Sequence, residues 1–368
     1  MSQPEKISPG LGYESYISVA LQPRTYGCRN KEDVRKNLDH LTQLIDDTMY
    51  TAWLGGASPV KLVTIPEGGI QGFWDEMSNM DQADYCKNVA ITIPGPETDR
   101  LAEKAKKHEI YIAAQAKVSD PDLMPDRFFN MGFIISPEGE IILKHTKNII
   151  SVIEGSTSPY DIWDRWVEKK GDNLEAFYPV VKTDIGNLAI AICAEASFPE
   201  TFRAFSVMGA EVIIKMTMAE PFISTGYWEY TNRTRAFDNM CYIVAPNLGP
   251  YYTNPDLGET YSVCGGNSMI VDYKGEIVTK ADHGNVGSVP GEIFLKNLRQ
   301  YRTEAPIGLT LAQMRPGLWK QIYEKWPDYP KNLYLEKTYP KAEDRMLLLW
   351  EEQHLGKLVA MGIHEPAD

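Results

Sequence analysis

Residues 188–195 read LAIAICAE and set a cysteine directly after an unbroken apolar run. Such a run predicts a buried β-strand, and Phe198-Pro199-Glu200 shortly downstream opens a helical pattern. Cys193 therefore lies where a buried strand meets a turn. Catalytic groups of open α/β sheets collect at strand ends, so we expect this thiol to face a pocket.

Two further strand ends carry groups of complementary chemistry. Residues 63–66 (VTIP) predict a strand that ends at Glu67, and residues 141–143 (IIL) lead to Lys144 and Lys147. A carboxylate, an amine and a thiol in one pocket are the components of an acyl-transfer site. There Glu67 would accept the thiol proton, the ammonium would stabilise the thiolate and the developing oxyanion, and the backbone N–H of Ala194 would be a second oxyanion donor.

A repeated hairpin pattern decides between the two lysines. Residues 133–141 (FIISPEGEI) align without gaps with residues 269–277 (MIVDYKGEI), and Lys144 then falls opposite Lys280. We therefore assign Lys144 to a structural repeat and Lys147 to the site. The same alignment predicts that the chain contains two related halves.

The three motifs, taken in order, resemble those of the nitrilase superfamily of carbon–nitrogen hydrolases. They are Glu67 in PEGG, Lys147 after GEIILKHT and Cys193 in ICAEASFPE, and the resemblance extends from about residue 17 to residue 302. It implies an α/β fold arranged as a four-layer αββα sandwich with an internal pseudo-two-fold repeat, and a Glu67-Lys147-Cys193 triad. Glu154 is similar to the additional glutamate that aliphatic amidases carry in Ile-Glu-Gly, which implies that it orients substrate or the hydrolytic water.

Helix and strand patterns alternate along the chain, as in a layered α/β domain. They predict strands at 16–21, 61–66 and 110–116 and helices at 31–51 and 96–109. Residues 1–302 would form the hydrolase domain. Residues 303–368, rich in Pro, Trp and Tyr, would form a C-terminal arm that contacts a neighbouring subunit, as arms of amidases in this family do, or its own subunit. The aromatic segment 158–177 is either a lid over the pocket or an ordinary surface helix.

The amino-acid composition limits which partners the protein can bind and in which cell compartment we expect it. The 368 residues include 43% hydrophobic side chains and carry a formal charge of −13, so there is material for a large core and no basic excess to bind nucleic acid. Six histidines without ligand spacing predict no metal site, and we expect no cofactor. The sequence shows no run of roughly 20 apolar residues, which a membrane-spanning helix would need. It also shows no pattern typical of a secretory signal peptide. We therefore expect a cytoplasmic protein without a membrane partner, in which Cys28, Cys86, Cys241 and Cys264 are inert, reduced thiols.

The sequence around the motifs favours an amide over a nitrile as the small-molecule substrate. Nitrilases usually have Trp-Glu after the nucleophile, whereas this chain has Ala194-Glu195. Residues 198–200, 209–213 and 235–239 resemble the amidase branches instead. The expected reaction is hydrolysis of a small carboxamide to acid and ammonia through a thioester on Cys193. Nitrile hydrolysis and a catalytically silent binding scaffold are the alternatives.

Four residues are candidates for substrate binding: Ala194, Glu195, Asn247 and Trp228. Asn247 follows a predicted strand and can line the site, whereas Trp228 and the tyrosines at 251–252 suggest an aromatic wall. The family resemblance also implies a homo-oligomer built from dimers.

Overall fold

Two six-stranded sheets form the centre of the fold. The computed structural model describes residues 15–56, 59–78, 80–151, 154–218, 225–253, 260–261, 265–337, 344 and 354–365. Within these residues the strands are β1 (Tyr16–Gln22), β2 (Thr25–Tyr26), β3 (Val60–Thr64), β4 (Tyr111–Ser119), β5 (Phe128–Ile135), β6 (Ile141–Thr146), β7 (Val181–Thr183), β8 (Gly186–Ile192), β9 (Val212–Met216), β10 (Tyr242–Ala245), β11 (Tyr251–Tyr252), β12 (Thr260–Tyr261), β13 (Met269–Val271), β14 (Ile277–Lys280) and β15 (Gly287–Ile293).

Helices cover the outer faces of the sheets and form part of the C-terminal arm. In the same residues they are α1 (Lys31–Leu54), α2 (Trp74–Ser78), α3 (Gln82–Asn88), α4 (Pro96–His108), α5 (Trp163–Lys170), α6 (Leu174–Phe177), α7 (Pro199–Val207), α8 (Tyr227–Asn239), α9 (Leu295–Glu304), α10 (Pro316–Lys325) and α11 (His354–Ala360). Short 3-10 turns span Tyr160–Ile162, Cys193–Ser197 and Ile307–Gln313.

The predicted elements are confirmed, with shifts of a few residues at their ends. The helix predicted at 31–51 is α1, which begins after Asn30, whose side chain accepts a hydrogen bond from the backbone N–H of Asp33. The strand predicted at 61–66 is β3 and ends at Thr64. Pro66 has no N–H with which to continue the ladder.

The two sheets repeat one topology. The first sheet has the order β15-β1-β3-β4-β5-β6, and the second has the order β7-β8-β9-β10-β13-β14. In each sheet three consecutive strands run parallel, β1-β3-β4 and β8-β9-β10. The remaining pairs are antiparallel. Every strand of the first sheet thus has a counterpart in the second, which confirms the two related halves that the hairpin alignment predicts.

The β5–β6 and β13–β14 hairpins match in detail. Lys144 and Lys280 occupy the same rung of the two ladders, and both hairpins shift register at the same step. Gly139 and Gly275 adopt φ angles of 82° and 78° in the two turns, a left-handed conformation that favours glycine. The residue correspondence read from the sequence is therefore also the correspondence of the hydrogen-bonded strands.

Three apolar clusters separate four layers. The first cluster packs α1, α3 and α4 on the first sheet, the second joins the two sheets, and the third packs α7 and α8 on the second sheet. The order helix, sheet, sheet, helix is that of an αββα sandwich. At Gly132 in β5 the sheets approach so closely that a Cβ atom would lie 2.6 Å from Cγ2 of Ile190 in β8. No helix among the described residues combines the length and apolar character needed to cross a membrane.

The C-terminal arm packs in part on the segment 158–177 of the same chain. The backbone N–H of Asn332 donates to the carbonyl of Tyr160, and Lys331 Nζ lies 3.5 Å from the ring centroid of Trp163. By contrast, α10 leaves Leu318 and Ile322, one helical turn apart, 63% and 60% exposed. One part of the arm is therefore seated on its own subunit while an apolar face of α10 is open.

Candidate active site

Glu67, Lys147 and Cys193 meet in one buried cluster. Glu67 follows β3, Lys147 directly follows β6 and Cys193 directly follows β8. Lys147 Nζ donates to Glu67 Oε1 at 3.0 Å, and the same carboxylate lies close enough to Cys193 to raise the pKa of the thiol. Glu67 is 2% exposed and Lys147 is fully buried. Three groups that lie far apart in the chain are thus brought together around one buried carboxylate.

Glu154 completes the coordination of the lysine. Lys147 Nζ donates to Glu154 Oε2 at 2.5 Å, and the Ser156 hydroxyl donates to Glu154 Oε1 at 2.6 Å. Glu154 is 3% exposed, so it is not a loop-surface residue. Two carboxylates therefore share a single ammonium group in a site that is nearly closed to solvent.

Asn130 in β5 bridges the two carboxylates. Its Nδ2 donates to Glu67 Oε1 at 2.9 Å and to Glu154 Oε1 at 2.7 Å. Gln115 fixes the orientation of this amide by donating to Asn130 Oδ1 at 2.8 Å, and Gln115 accepts the backbone N–H of Gly68 at 2.8 Å. The amide and the ammonium together hold both carboxylates in place.

Burial and charge set the protonation states of the cluster. Burial opposes the charge on Lys147, but the carboxylates of Glu154 and Glu67 outweigh it and raise the pKa of the ammonium well above its ordinary value. For Glu154, burial is likewise outweighed by Lys147, which lowers the pKa of the carboxyl. Burial and the Glu67 carboxylate raise the pKa of the Cys193 thiol. The free thiol therefore keeps its proton until a base removes it, and Glu67 is the carboxylate beside it.

Cys193 has a backbone conformation that is uncommon for a residue with a side chain. Its φ angle is 44°, in the left-handed region, at the point where β8 ends and the 3-10 turn begins. Cys193 and Ala194 are half-buried, whereas the neighbouring Ile192 is fully buried. The tight turn thus lifts the thiol and the following backbone N–H out of the strand.

Glu195 ties the nucleophile's turn to the strand end that carries Lys147. Its Oε2 accepts the backbone N–H of Ile192 at 2.8 Å, and its Oε1 accepts the backbone N–H of Asn148 at 2.9 Å. His145 Nε2 lies 3.0 Å from Oε2, and Glu195 is fully buried. Because both oxygens are occupied, we assign Glu195 a positioning role in place of the substrate-binding role that the sequence suggests.

Trp228 and Asn247 also make internal contacts. The indole of Trp228 is 2% exposed, and its Nε1 donates to the carbonyl of Asn267 at 2.8 Å, so it packs beneath the second sheet and is not an open aromatic wall. Asn247 is fully buried, and its Nδ2 donates to the carbonyl of Gly266 at 2.6 Å. Both residues contact the segment that precedes β13.

The rejected candidates lie outside the cluster. Lys144 is exposed and donates to the carbonyl of Ile93 at 2.6 Å. Burial raises the pKa of the Cys86 thiol to about 11 and that of the Cys241 thiol to about 12. Cys28 is buried and unpaired with another cysteine, and the prediction for Cys264 falls outside the described residues. In the part of the chain that the structure describes, no three His, Cys, Asp or Glu side chains form a metal-binding group.

Sequence reasoning missed Asn130, Gln115 and Lys215. The first two are ordinary polar residues in buried strands, and nothing in the pattern marks them. Lys215 interrupts the apolar strand of residues 212–216 (VIIKM), which is a usable signal because a lysine in a buried strand needs a special environment. Its side chain is 1% exposed.

The fold and the buried cluster define a carbon–nitrogen hydrolase, and comparison with known proteins agrees. Residues 18–303 match the model of the carbon-nitrogen hydrolase family, and the chain belongs to this family. A formamidase of Bacillus cereus (strain AH820) is 29% identical over 339 residues, which cover 92% of this chain and 90% of the relative. A formamidase of Bacillus anthracis matches with the same values.

Solved structures share the fold at lower identity. Nit3 of Saccharomyces cerevisiae, a member of branch 10 of the nitrilase superfamily, is 20% identical with a TM-score of 0.62, covering 81% of this chain and 97% of its own. A mutant of the Nesterenkonia AN1 amidase, also from the nitrilase superfamily, is 18% identical with a TM-score of 0.60, covering 86% of this chain and 100% of its own. These similarities concern the architecture of the molecule.

Proposed function

We propose that this protein hydrolyses a small linear carboxamide to the carboxylic acid and ammonia, with Cys193 as nucleophile. The observation that carries the proposal is the shared Glu67 carboxylate, which lies beside the Cys193 thiol and 3.0 Å from Lys147 Nζ. The formamidase relatives support an amide as substrate and make formamide the first compound to test.

Acylation begins when the sulfur of Cys193 attacks the amide carbon and Glu67 takes the thiol proton. The carbonyl oxygen becomes an oxyanion, which the buried ammonium of Lys147 and the backbone N–H of Ala194 stabilise. The tetrahedral intermediate then collapses, the carbon–nitrogen bond breaks, and Glu67 returns its proton to the leaving nitrogen. Ammonia departs and a thioester remains on Cys193.

Deacylation uses the same groups with water in place of the thiol. Glu67 removes a proton from a water molecule that attacks the thioester carbon, and the oxyanion is held as before. The carbon–sulfur bond breaks, the thiolate regains a proton, and the carboxylic acid leaves. We assign Glu154 to hold Lys147 in place and to orient the substrate amide or the attacking water, because its carboxylate is fixed beside both Lys147 and Asn130.

Ammonia release from formamide, acetamide, propionamide and benzamide, and from acetonitrile and propionitrile, tests this proposal. We expect turnover of one or more aliphatic amides and a much lower rate with the nitriles. The Cys193→Ala variant should lose activity by several orders of magnitude, and the matched Cys86→Ala variant should keep it. Equal turnover of nitriles would assign the protein to nitrile hydrolysis, and slow, amide-insensitive alkylation of Cys193 would favour a silent scaffold.

We also propose that the C-terminal arm is a contact between subunits of a homo-oligomer built from dimers. The supporting observation is the open apolar face of α10, where Leu318 and Ile322 are 63% and 60% exposed, together with Trp326 directly after the helix, which is 48% exposed. Light scattering of the wild type and of a Leu318→Glu/Ile322→Glu double variant tests it. A lower mass for the variant supports the contact, and an unchanged mass would contradict it.

A further inference from the structure

Lys215 is a buried cation that the reaction described above does not use. It lies in β9 on the rung opposite Ala191 of β8, and Met216 lies on the rung of Ile192, the residue before the nucleophile. Side chains of a strand alternate between its two faces. Ile214 and Met216 belong to the cluster between the sheets, so Lys215 points to the other face, towards α8.

Thr231 of α8 faces Lys215 and accepts a hydrogen bond from it, but it carries no negative charge. Lys215 Nζ donates to Thr231 Oγ1 at 2.8 Å and lies 4.6 Å from the ring centroid of Trp228. The Thr231 hydroxyl donates in turn to the carbonyl of Tyr227 at 2.9 Å. Among the described residues no carboxylate oxygen lies within ion-pair distance of Lys215, whereas Lys147 has two. A buried ammonium without a counter-charge is unfavourable unless an anion forms nearby.

The buried groups around Cys193 carry more negative than positive charge, so a second cation would be favourable there. Glu67 after β3 and Glu154 in the loop after β6 supply two carboxylates, and Lys147 supplies a single ammonium between them. Both carboxylates oppose ionisation of the thiol. Lys147 favours the thiolate, but the two carboxylates that bind it oppose the same ionisation.

Lys215 lies on the strand next to β8, opposite Ala191, so a thiolate at Cys193 would favour its ammonium form. Burial lowers the pKa of Lys215 to about 7, with Arg235 of α8 acting in the same direction, and a thiolate at Cys193 acts in the opposite direction. Because interaction between two sites is mutual, an ammonium at Lys215 must favour the thiolate of Cys193 by the same free energy. Lys215 is therefore able to hold its proton at the moment when the sulfur becomes negative.

We propose that Lys215 is the second cation of the active site, a positioning residue that stabilises the negative charge on Cys193 while Lys147 is held by Glu67 and Glu154. The inference rests on the proposed function for its catalytic consequence. It implies that the cation in β9 acts through the sulfur and does not take part in proton transfer to the leaving nitrogen.

The test follows alkylation of Cys193 by iodoacetamide against pH, measured by mass spectrometry on the Cys193 peptide. The variants are Lys215→Met, which keeps length without charge, and Lys215→Arg, which keeps the charge; Lys144→Met is the matched control on an exposed lysine. At pH 6.5 we expect alkylation to be about tenfold slower in Lys215→Met than in wild type. Above the pKa of Lys215 the wild type loses this cation, so the ratio of the two rates should fall towards one.

Lys215→Arg should keep the wild-type rate at low pH, and Lys144→Met should match wild type throughout. A folded Lys215→Met variant with the wild-type alkylation profile would overturn the inference. So would a rate ratio that stays constant from pH 6 to pH 10, because a purely structural role has no pH dependence. If Lys215→Met does not fold, Lys215→Gln takes its place under the same criteria. Alkylation of Cys193 does not require turnover, so the two proposals fail separately. If the wild type hydrolyses no amide, the proposed function is rejected. The effect of Lys215 on the alkylation rate can still be measured in that case.

Discussion

The carboxylate of Glu195 accepts a hydrogen bond of 2.8 Å from the backbone N–H of Ile192, the residue that precedes the nucleophile. Its other oxygen accepts the backbone N–H of Asn148, the residue that follows Lys147. One buried carboxylate therefore sets the spacing between the thiol and the ammonium. Catalysis by positioned groups is sensitive to shifts on the order of 1 Å, so Glu195 should matter without touching substrate.

Glu195→Gln tests this relationship. An amide has one acceptor and one donor, so it cannot accept both backbone N–H groups. We expect kcat to fall by roughly 10- to 100-fold with little change in KM, and the free energy of unfolding to fall by about 1–3 kcal/mol. Steady-state kinetics and urea denaturation measure the two effects. Glu175→Gln, on an exposed glutamate, should match wild type, and a large rise in KM for Glu195→Gln would restore a substrate-binding role.

Asn130→Asp should disable the site by adding a third carboxylate between Glu67 and Glu154. The amide donates to both of them at 2.9 and 2.7 Å, and an aspartate would repel them instead. We expect kcat to fall on the order of 100-fold or more and stability to fall by roughly 3 kcal/mol. Activity assays and thermal unfolding check these expectations. Activity within tenfold of wild type would mean that the bridge does not hold the carboxylates.

Glu154 should give the protein a measurable dependence of stability on pH. Beside Lys147 the pKa of this carboxyl falls from 4.5 to about 2 in the folded state. A carboxyl with a lowered folded pKa stabilises the protein fully above its unfolded pKa, and this stabilisation is lost as pH falls towards the folded pKa. Urea unfolding at pH 7, 5 and 3 should therefore show a smaller loss of stability between pH 5 and pH 3 in Glu154→Gln than in wild type. Parallel curves for the two proteins would contradict the assignment.

Gly132→Ala should destabilise the contact between the two sheets. The added Cβ would lie 2.6 Å from Cγ2 of Ile190, which is buried on all sides. We expect a loss of roughly 1–3 kcal/mol in the free energy of unfolding because the core must move to accept the methyl group. Gly317→Ala is the matched control, since a Cβ at that exposed position of α10 would meet nothing within 4 Å apart from the adjacent residues and the backbone of the helix itself. Denaturant titration of both variants measures the two changes in the free energy of unfolding. Equal changes in Gly132→Ala and Gly317→Ala would show that the sheets are not closely packed at Gly132.

The features of this protein that depend on local pattern can be read directly from its amino-acid order. Apolar runs fixed the strands that end at Glu67 and Cys193, and the hairpin alignment placed Lys144 and Lys280 on equivalent rungs. Periodicity and turn residues act over a few positions, so a single chain displays them directly. The order of the motifs then indicated the family.

Which side chains meet became visible only in the folded chain. Asn130 bonds to Glu67 across 63 positions, and Lys147 bonds to the same carboxylate across 80. Glu195 changed from a candidate substrate ligand to a brace, and Lys215 became the buried cation opposite Ala191. Hydrogen bonds, burial and electrostatic coupling depend on distances in space, and packing two sheets together sets those distances without leaving a trace in the local pattern.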